Sequence, residues 1–352
     1  MPGKLQMDKI AALTGFSVST VSRVLAGKPY TSDRAREAII SCARRLGVLD
    51  GLACGRLLID GVAVFAPGRT FNARGDVFYL EVTRGIAEAL AAHNVYLSYC
   101  GLEEEHADIE AFLDKAGDKH INAVIIIGTD DPTIFKLAAA LNKPCVLINT
   151  HDRETALDAV SPDHYAIGFN AARHVFERGH RRMLSLTCLR RKTLYTRLHG
   201  IQDAYRHFSV PFDAQQDVII TEGFSPEEAE QALEAWLASH PPACWPEVIF
   251  PGSMGMTTGV LRVLARRQVQ VPEQMSLMTT DFSWHLENSA GIPITGIAVP
   301  CRELGIEAVH LLQHRLNRPQ ASVCHLLLQG KLREAGSVRY ATRHAARVAL
   351  GQ

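Results

Sequence analysis

Apolar positions in the first fifty residues recur at helical spacing in three short blocks. In 7–13 (MDKIAAL), Ile10, Ala11 and Leu13 gather on one side. In 18–27 (VSTVSRVLAG), Val18, Val21, Val24 and Leu25 form a second stripe. A third block runs from Ser32 (SDRAREAIISCARRLG), with Ala35, Ile39, Ile40, Ala43 and Leu46 on one face. The punctuation agrees. Gly15 allows the positive φ of a tight turn between the first two helices. Ser17 stands where an N-cap hydroxyl is wanted, and Gly47 stops the third helix. Ala11 and Gly15 are small enough for two short helices to cross steeply.

From Gly61 the pattern changes to apolar runs of strand length separated by amphipathic helical stretches. The runs are GVAVFAP (61–67), VYLSYC (95–100), AVIIIGT (123–129), PCVLIN (144–149), MLSLTC (183–188), DVIIT (217–221), EVIFPG (247–252) and SLMTTD (276–281). Stretches such as YLEVTRGIAEALAAH and PEEAEQALEAWLASH lie between them. Such alternation predicts parallel sheets covered by helices, either closed into one barrel or opened into two sheets. No internal sequence repeat is detectable.

Composition narrows the class. A chain of 352 residues exceeds what one core usually serves, and 47% hydrophobic with 21% charged residues is ordinary for a folded protein. No apolar run reaches the roughly 18 residues of a membrane span. Met1–Lys9 lacks the apolar stretch of a secretory signal, so a cytoplasmic location and no membrane partner are expected. The eight cysteines are scattered, several within apolar runs, and read as buried small hydrophobes in a reducing compartment. Net charge is zero, yet residues 1–50 hold eight Lys/Arg against four Asp/Glu. A basic module on a faintly acidic body suits a local contact with nucleic acid.

The second helix offers Ser19, Thr20, Ser22 and Arg23 outward: small polar groups that let a helix enter a major groove, and one Arg able to pair with a guanine edge. The block GFSVSTVSRVLAGKPYTSDRAREAI resembles the DNA-binding headpiece of the lactose/galactose repressor (LacI/GalR) family. Nearly every motif position from Gly15 to Gly27 is met, with Ala26 in place of Asn and Lys9 where the family usually has Asp. The resemblance implies base reading by Val18, Ser19 and Arg23, with Thr20 and Ser22 near phosphate. It also implies a hinge helix whose leucine wedges into the minor groove. That role passes to Leu52 in DGLACGRLLIDG, although Gly51 and Gly55 each lower helix propensity by about 1 kcal/mol. A flexible tether without intercalation is the alternative.

Further fragments, FYLEVTRGIAEAL, ERGHRRMLSLT, MSLMTTDF and ITGIAVPCRELGIEAVHLL, extend the resemblance over almost the whole chain. The fold class expected is a small all-α helix-turn-helix headpiece followed by a two-lobed α/β core of the type I periplasmic-binding-protein kind, with parallel sheets. The expected domains are a headpiece at 1–48, a linker at 49–60, a core at 61–340 and a short tail at 341–352. Within the core, one lobe takes about 61–161 and 292–322, the other about 162–291 and 323–340, with crossover strands near 292–300 and 323–329.

Such folds bind ligands at strand C-termini. The resemblance implies effector-binding roles for Asp281, at the end of SLMTTD, and Arg197, a forked donor to ligand oxygens. It implies a stacking role for Phe224, and a role for Asn149 at the end of the fourth strand. Where the family commonly has A-x-N-D, this chain has Pro251, Gly252, Ser253 and Met254, which argues against an ordinary neutral hexose sensor. Ser253 is the candidate from that loop. LRRKTLYTR (189–197) carries four basic residues that either select an anionic ligand group or form a solvated surface, the latter being the simpler expectation. Catalytic equipment is missing: there is no G-x-S-x-G, P-loop, H-E-x-x-H or G-x-G-x-x-G, and the histidines, expected mostly at the surface, show no metal spacing.

The reading expected is therefore a repressor, not an enzyme, with no cofactor and no metal. It would bind a pseudo-palindromic double-stranded operator as a homodimer under control of a carbohydrate-like small molecule. The tail is too short for a tetramerising coiled coil. A solute-binding protein, or an enzymatic α/β protein with an appended DNA-binding domain, is the alternative.

Overall fold

A computed structural model of the chain describes residues 2–28, 31–49, 57, 59–71, 77–104, 106–150, 152, 154, 157–280 and 291–341. Three helices open it: α1 (Pro2–Thr14), α2 (Val18–Leu25) and α3 (Asp33–Arg45). Gly15 takes φ +74° at the first turn, and the Ser17 and Ser32 side chains accept the N–H of Thr20 and Ala35 as N-caps. Ile10, Val21, Val24, Leu25, Ile39 and Ala43 form a small core of their own, which also takes in Leu49, one residue beyond the expected boundary.

The rest divides into two compact units, Met1–Ser161 with Cys301–Leu326 and Pro162–Pro300 with Leu327–Gln352, the three helices counting with the first. The α/β part of the first unit holds β1 (Gly61–Ala66), α4 (Val77–Ala91), β2 (Tyr96–Gly101), α5 (Ile109–Gly117), β3 (Ala123–Ile127), α6 (Pro132–Ala140), β4 (Cys145–Ile148) and β5 (Asp158–Pro162). The strand order is β11-β5-β4-β3-β1-β2, where β11 is His325–Leu328, and β1 to β5 pair in parallel. Phe65, Phe112, Ile126, Phe135 and Leu147 centre the core beneath α5 and α6. α12 (Cys301–Asn317) returns against α4; a Cβ on Gly85 would stand 2.0 Å from the Arg302 carbonyl oxygen, so only glycine allows that approach.

The second unit repeats the plan without repeating the sequence. α7 (His164–Glu177), β6 (Met183–Cys188), α8 (Lys192–His207), the short α9 (Ala214–Asp217), β7 (Val218–Thr221), α10 (Pro226–Ser239), β8 (Val248–Pro251), α11 (Met254–Arg266) and β9 (Ser276–Thr280) are followed by β10 (Thr295–Ala298) and β12 (Lys331–Arg333). The order is β12-β10-β9-β8-β6-β7, parallel from β7 to β10 with β12 antiparallel at the edge. In both sheets the first strand lies between the second and the third. Each sheet therefore has a topological switch point at its strand C-termini, where α/β folds bind ligands.

Two features depart from the sequence reading. Strands β5 and β12 were not expected; DAVSP is short and opens on Asp158, and KLR is wholly exposed. The chain returns to the first unit after Pro300, not near 292, because β10 extends the second sheet by pairing with β9.

Candidate functional site

Helix α2 is built to face outward. Its stripe Val21, Val24 and Leu25 is buried, which turns Ser19, Ser22 and Arg23 to solvent and leaves Val18 38% exposed. Thr20 is half-buried, its hydroxyl 2.9 Å from the Ser17 Oγ that also accepts its N–H, so it completes the cap. Arg23 Nε donates to the Ser19 carbonyl at 3.3 Å, laying the side chain along the exposed strip. Among the described residues no carboxylate pairs with it. Leu52 lies outside the described residues.

In the second unit, α7 and α8 cross closely because Gly168 and Gly200 face the opposing backbone; a Cβ on Gly168 would sit 2.1 Å from the Arg197 carbonyl oxygen. That crossing sets Arg197 beside His164. The buried guanidinium gives Nη1 to the Gly252 carbonyl (3.0 Å) at the end of β8 and to Thr280 Oγ1 (2.8 Å) at the end of β9. Its Nη2 meets His164 Nδ1 at 3.1 Å. Burial, then the charges of Arg197 and Arg191, hold the His164 pKa well below its usual value, so the ring is neutral and Nδ1 accepts.

Phe224, half-buried after β7, lies under the Arg190 guanidinium at 5.8 Å from its ring centre. Ser253 caps α11, its Oγ accepting the Met256 N–H. Thus Arg197, Phe224 and Ser253 occupy strand C-terminal ends of one sheet. Asp281 lies outside the described residues.

Asn149 belongs to the first unit. It follows β4 with φ +52°, is 9% exposed, and donates its N–H to the Val160 carbonyl at 3.0 Å. Around the same strand ends Arg69 pairs with the buried Glu104 and sits 5.3 Å above the Tyr79 ring. Thr129 Oγ1 donates to the Glu104 carbonyl at 3.0 Å, and Thr150 Oγ1 to the Thr129 carbonyl.

Sequence reasoning missed His164, Thr193 and Thr280 in the second unit, and Arg69 and Glu104 in the first. His164, His174 and His180 are buried, exceptions to histidines that otherwise lie exposed or half-buried among the described residues. In LRRKTLYTR, Arg191 and Arg197 are buried as well, so the stretch is not a plain solvated surface.

The buried rings carry a pH dependence. Burial, then Arg178, lowers the His174 pKa to about 4, and His164 is lowered too. The unfolded chain binds protons first, so this stability is complete above pH 6.5 and is lost as pH falls below it. The urea midpoint is expected to drop between pH 7.5 and 5.5, by on the order of 1 kcal/mol per ring for each pH unit below 6.5. A midpoint unchanged across that interval would mean that both rings titrate in the fold as they do in the unfolded chain.

Residues 6–47 match the bacterial regulatory proteins of the lacI family, and residues 172–338 a periplasmic binding protein-like domain. The chain thus joins a lacI-family DNA-binding domain to a periplasmic binding protein-like domain. The transcriptional repressor CytR of Escherichia coli (strain K12) is 28% identical over 339 residues, covering 93% of this chain and 96% of CytR. The ribose operon repressor of the same strain is 24% identical, covering 94% and 99%. Among solved structures, a lac repressor dimer bound to operator and an anti-inducer superimposes with a TM-score of 0.68 at 18% identity, covering 94% of this chain and 98% of that one. The chain is a DNA-binding transcription regulator. No helix among the described residues is long and apolar enough to cross a membrane.

Proposed function

We propose that this chain is a homodimeric repressor that binds a pseudo-palindromic operator and changes its grip when a small, carbohydrate-like metabolite occupies its α/β body. The observation that carries the reading is the exposed strip Val18, Ser19, Ser22 and Arg23 on α2, held rigidly over a buried Val21–Val24–Leu25 stripe. Val18, Ser19 and Arg23 read base edges; Ser22 and Thr20 lie near phosphate, and Leu52 serves the minor groove. In the body, Arg197, Asp281, Phe224 and Ser253 are the effector-binding residues proposed in the second unit, and Asn149 is the one proposed in the first. They do so by binding alone, without catalysis, and the protein works in the cytoplasm where its operator lies. The effector acts through its differential affinity for two states of the protein. The kinship with a repressor named for the ribose operon supports a sugar or sugar derivative.

Arg23→Ala is expected to weaken operator binding by about 1–3 kcal/mol, roughly ten- to a hundred-fold, while binding to random duplex changes little. Gel-shift titrations against operator and competitor at fixed salt measure both. Operator affinity equal to that of the parent chain would remove Arg23 from base reading.

A further inference from the structure

We infer that Ser17 decides which bases Ser19 selects without touching them. Once Thr20 donates to a phosphate, the hydroxyl chain Ser19–Ser17–Thr20 leaves Ser19 a pure hydrogen-bond acceptor, which chooses adenine or cytosine. The inference rests on the reading of α2 as the operator-reading helix, with Ser19 at base edges and Thr20 near phosphate, and names the base chemistry its first turn selects.

Three hydroxyls meet at the start of α2. Ser17 Oγ lies 2.9 Å from Ser19 Oγ and 2.9 Å from Thr20 Oγ1, and it accepts the Thr20 N–H at 3.2 Å. In each hydroxyl pair either oxygen can give the proton. A serine hydroxyl has one proton and two lone pairs. The Thr20 N–H takes one lone pair of Ser17. To keep both hydroxyl contacts, Ser17 must give its proton to one neighbour and accept from the other. Two orders satisfy that count. Either Ser19 donates to Ser17 and Ser17 to Thr20, or Thr20 donates to Ser17 and Ser17 to Ser19.

A duplex decides between them. Val18, Ser19, Ser22 and Arg23 are exposed, while Thr20, about 100° further around the helix than Ser19, is half-buried. With the exposed strip against the base edges, Thr20 is turned toward the groove wall, where the phosphates run. A phosphate oxygen only accepts, so Thr20 gives it the proton and takes one from Ser17. Ser19 must then donate to Ser17. It faces the groove with lone pairs and no proton.

In the major groove adenine N6 and cytosine N4 are the donors, whereas guanine and thymine present acceptors. An acceptor set against an acceptor leaves both without a proton, and that costs more than a hydrogen bond contributes. Ser19 therefore selects an exocyclic amine. Arg23, one turn later, carries only donors and takes the opposite kind of base. Its Nε already lies on the Ser19 carbonyl at 3.3 Å, so the two readers are held side by side.

The test uses the full chain and a duplex selected from a random double-stranded library, remade with base analogues. At the base facing Ser19, an analogue lacking the exocyclic amine is expected to weaken binding about three- to tenfold, the size of one hydrogen bond. Replacing N7 of an adenine there by carbon is expected to change little. Ser19→Ala identifies the base, since the penalty for losing the amine disappears at that position alone. Thr20→Val and Ser17→Ala are both expected to admit guanine or thymine there within about threefold of the selected base, because Ser19 regains a proton to offer. Ser32→Ala is the control. Ser32 caps α3 as Ser17 caps α2, its Oγ accepting the Ala35 N–H at 3.3 Å, so its loss weakens the headpiece and leaves base choice unmoved. Should Ser17→Ala fail to fold, Thr20→Val decides alone, since it keeps the cap and the side-chain shape. A penalty from losing N7 in place of the amine would reverse the chain and overturn the inference, with base reading by Ser19 intact. Base choice that Thr20→Val leaves unmoved would overturn it equally. A Ser19→Ala chain that selects the same sequence at the same affinity would instead remove Ser19 from base reading, the reading on which the inference rests.

Discussion

Arg197→Met is expected to lose effector binding by about 2–5 kcal/mol, thirty-fold or more, while the protein without effector still folds and binds its operator. The magnitude follows from truncating one partner of a buried, hydrogen-bonded charge set. Methionine keeps the length and apolar stem of arginine, and the close α7–α8 crossing uses the Arg197 backbone rather than its guanidinium. The Gly252 carbonyl retains a donor, since Thr280 Oγ1 lies 3.0 Å from it. What disappears is the fork that reaches the ends of β8 and β9 from α8. His164 loses its donor and one of the charges that suppress its protonation, so its pKa should rise toward the usual range. Calorimetric titration gives the loss in affinity, and gel shifts without effector give the control. Unchanged effector affinity would place the ligand elsewhere; lost operator binding without effector would make Arg197 a structural residue.

How much was legible in the sequence depended on how local the deciding interaction is. The headpiece was read almost completely because Ser17, Ser32, Gly15 and Gly47 act within a few residues of themselves. Arg197 could be found for a related reason: it sits in a recognisable R-L-x-G block on a helix with a clear apolar face. His164 could not. It is the residue that follows Asp163, the N-cap of α7, just after β5, and DAVSP does not read as a strand until the partners on either side of it are known. The boundary at 300 failed likewise, since only the pairing of β10 with β9 assigns that strand to the second unit. LRRKTLYTR showed its charge but not its burial. Helical phase places Arg197 and Thr193 together, but whether that face meets solvent or a sheet is a tertiary fact.

Asp158 marks the other extreme, a residue with no functional motif whose loss should be among the most damaging. Asp158→Ala is expected to destabilise the protein by about 3–5 kcal/mol. The carboxylate, 1% exposed, receives Arg315 Nε at 2.7 Å and Nη2 at 2.8 Å in a bidentate pair, and Oδ1 also accepts the Cys324 N–H at 2.8 Å. Arg315 is fixed further by the carbonyls of Ala321 and Ser322. One side chain thus joins the end of α12 to β5 and to the entry of β11. Alanine would leave a largely buried guanidinium without its counter-charge and a backbone N–H without an acceptor, and each costs more than the intact pair contributes. Asp158→Asn, which keeps an acceptor for Cys324, should lose less. Pairing Asp158→Ala with Arg315→Met should recover part of the loss, because the stranded charge is gone. Urea unfolding at pH 7 measures all three. A double variant as unstable as the sum of its singles would show that the two side chains act separately, and a single loss below about 1 kcal/mol would show the pair to be no stronger than one at the surface.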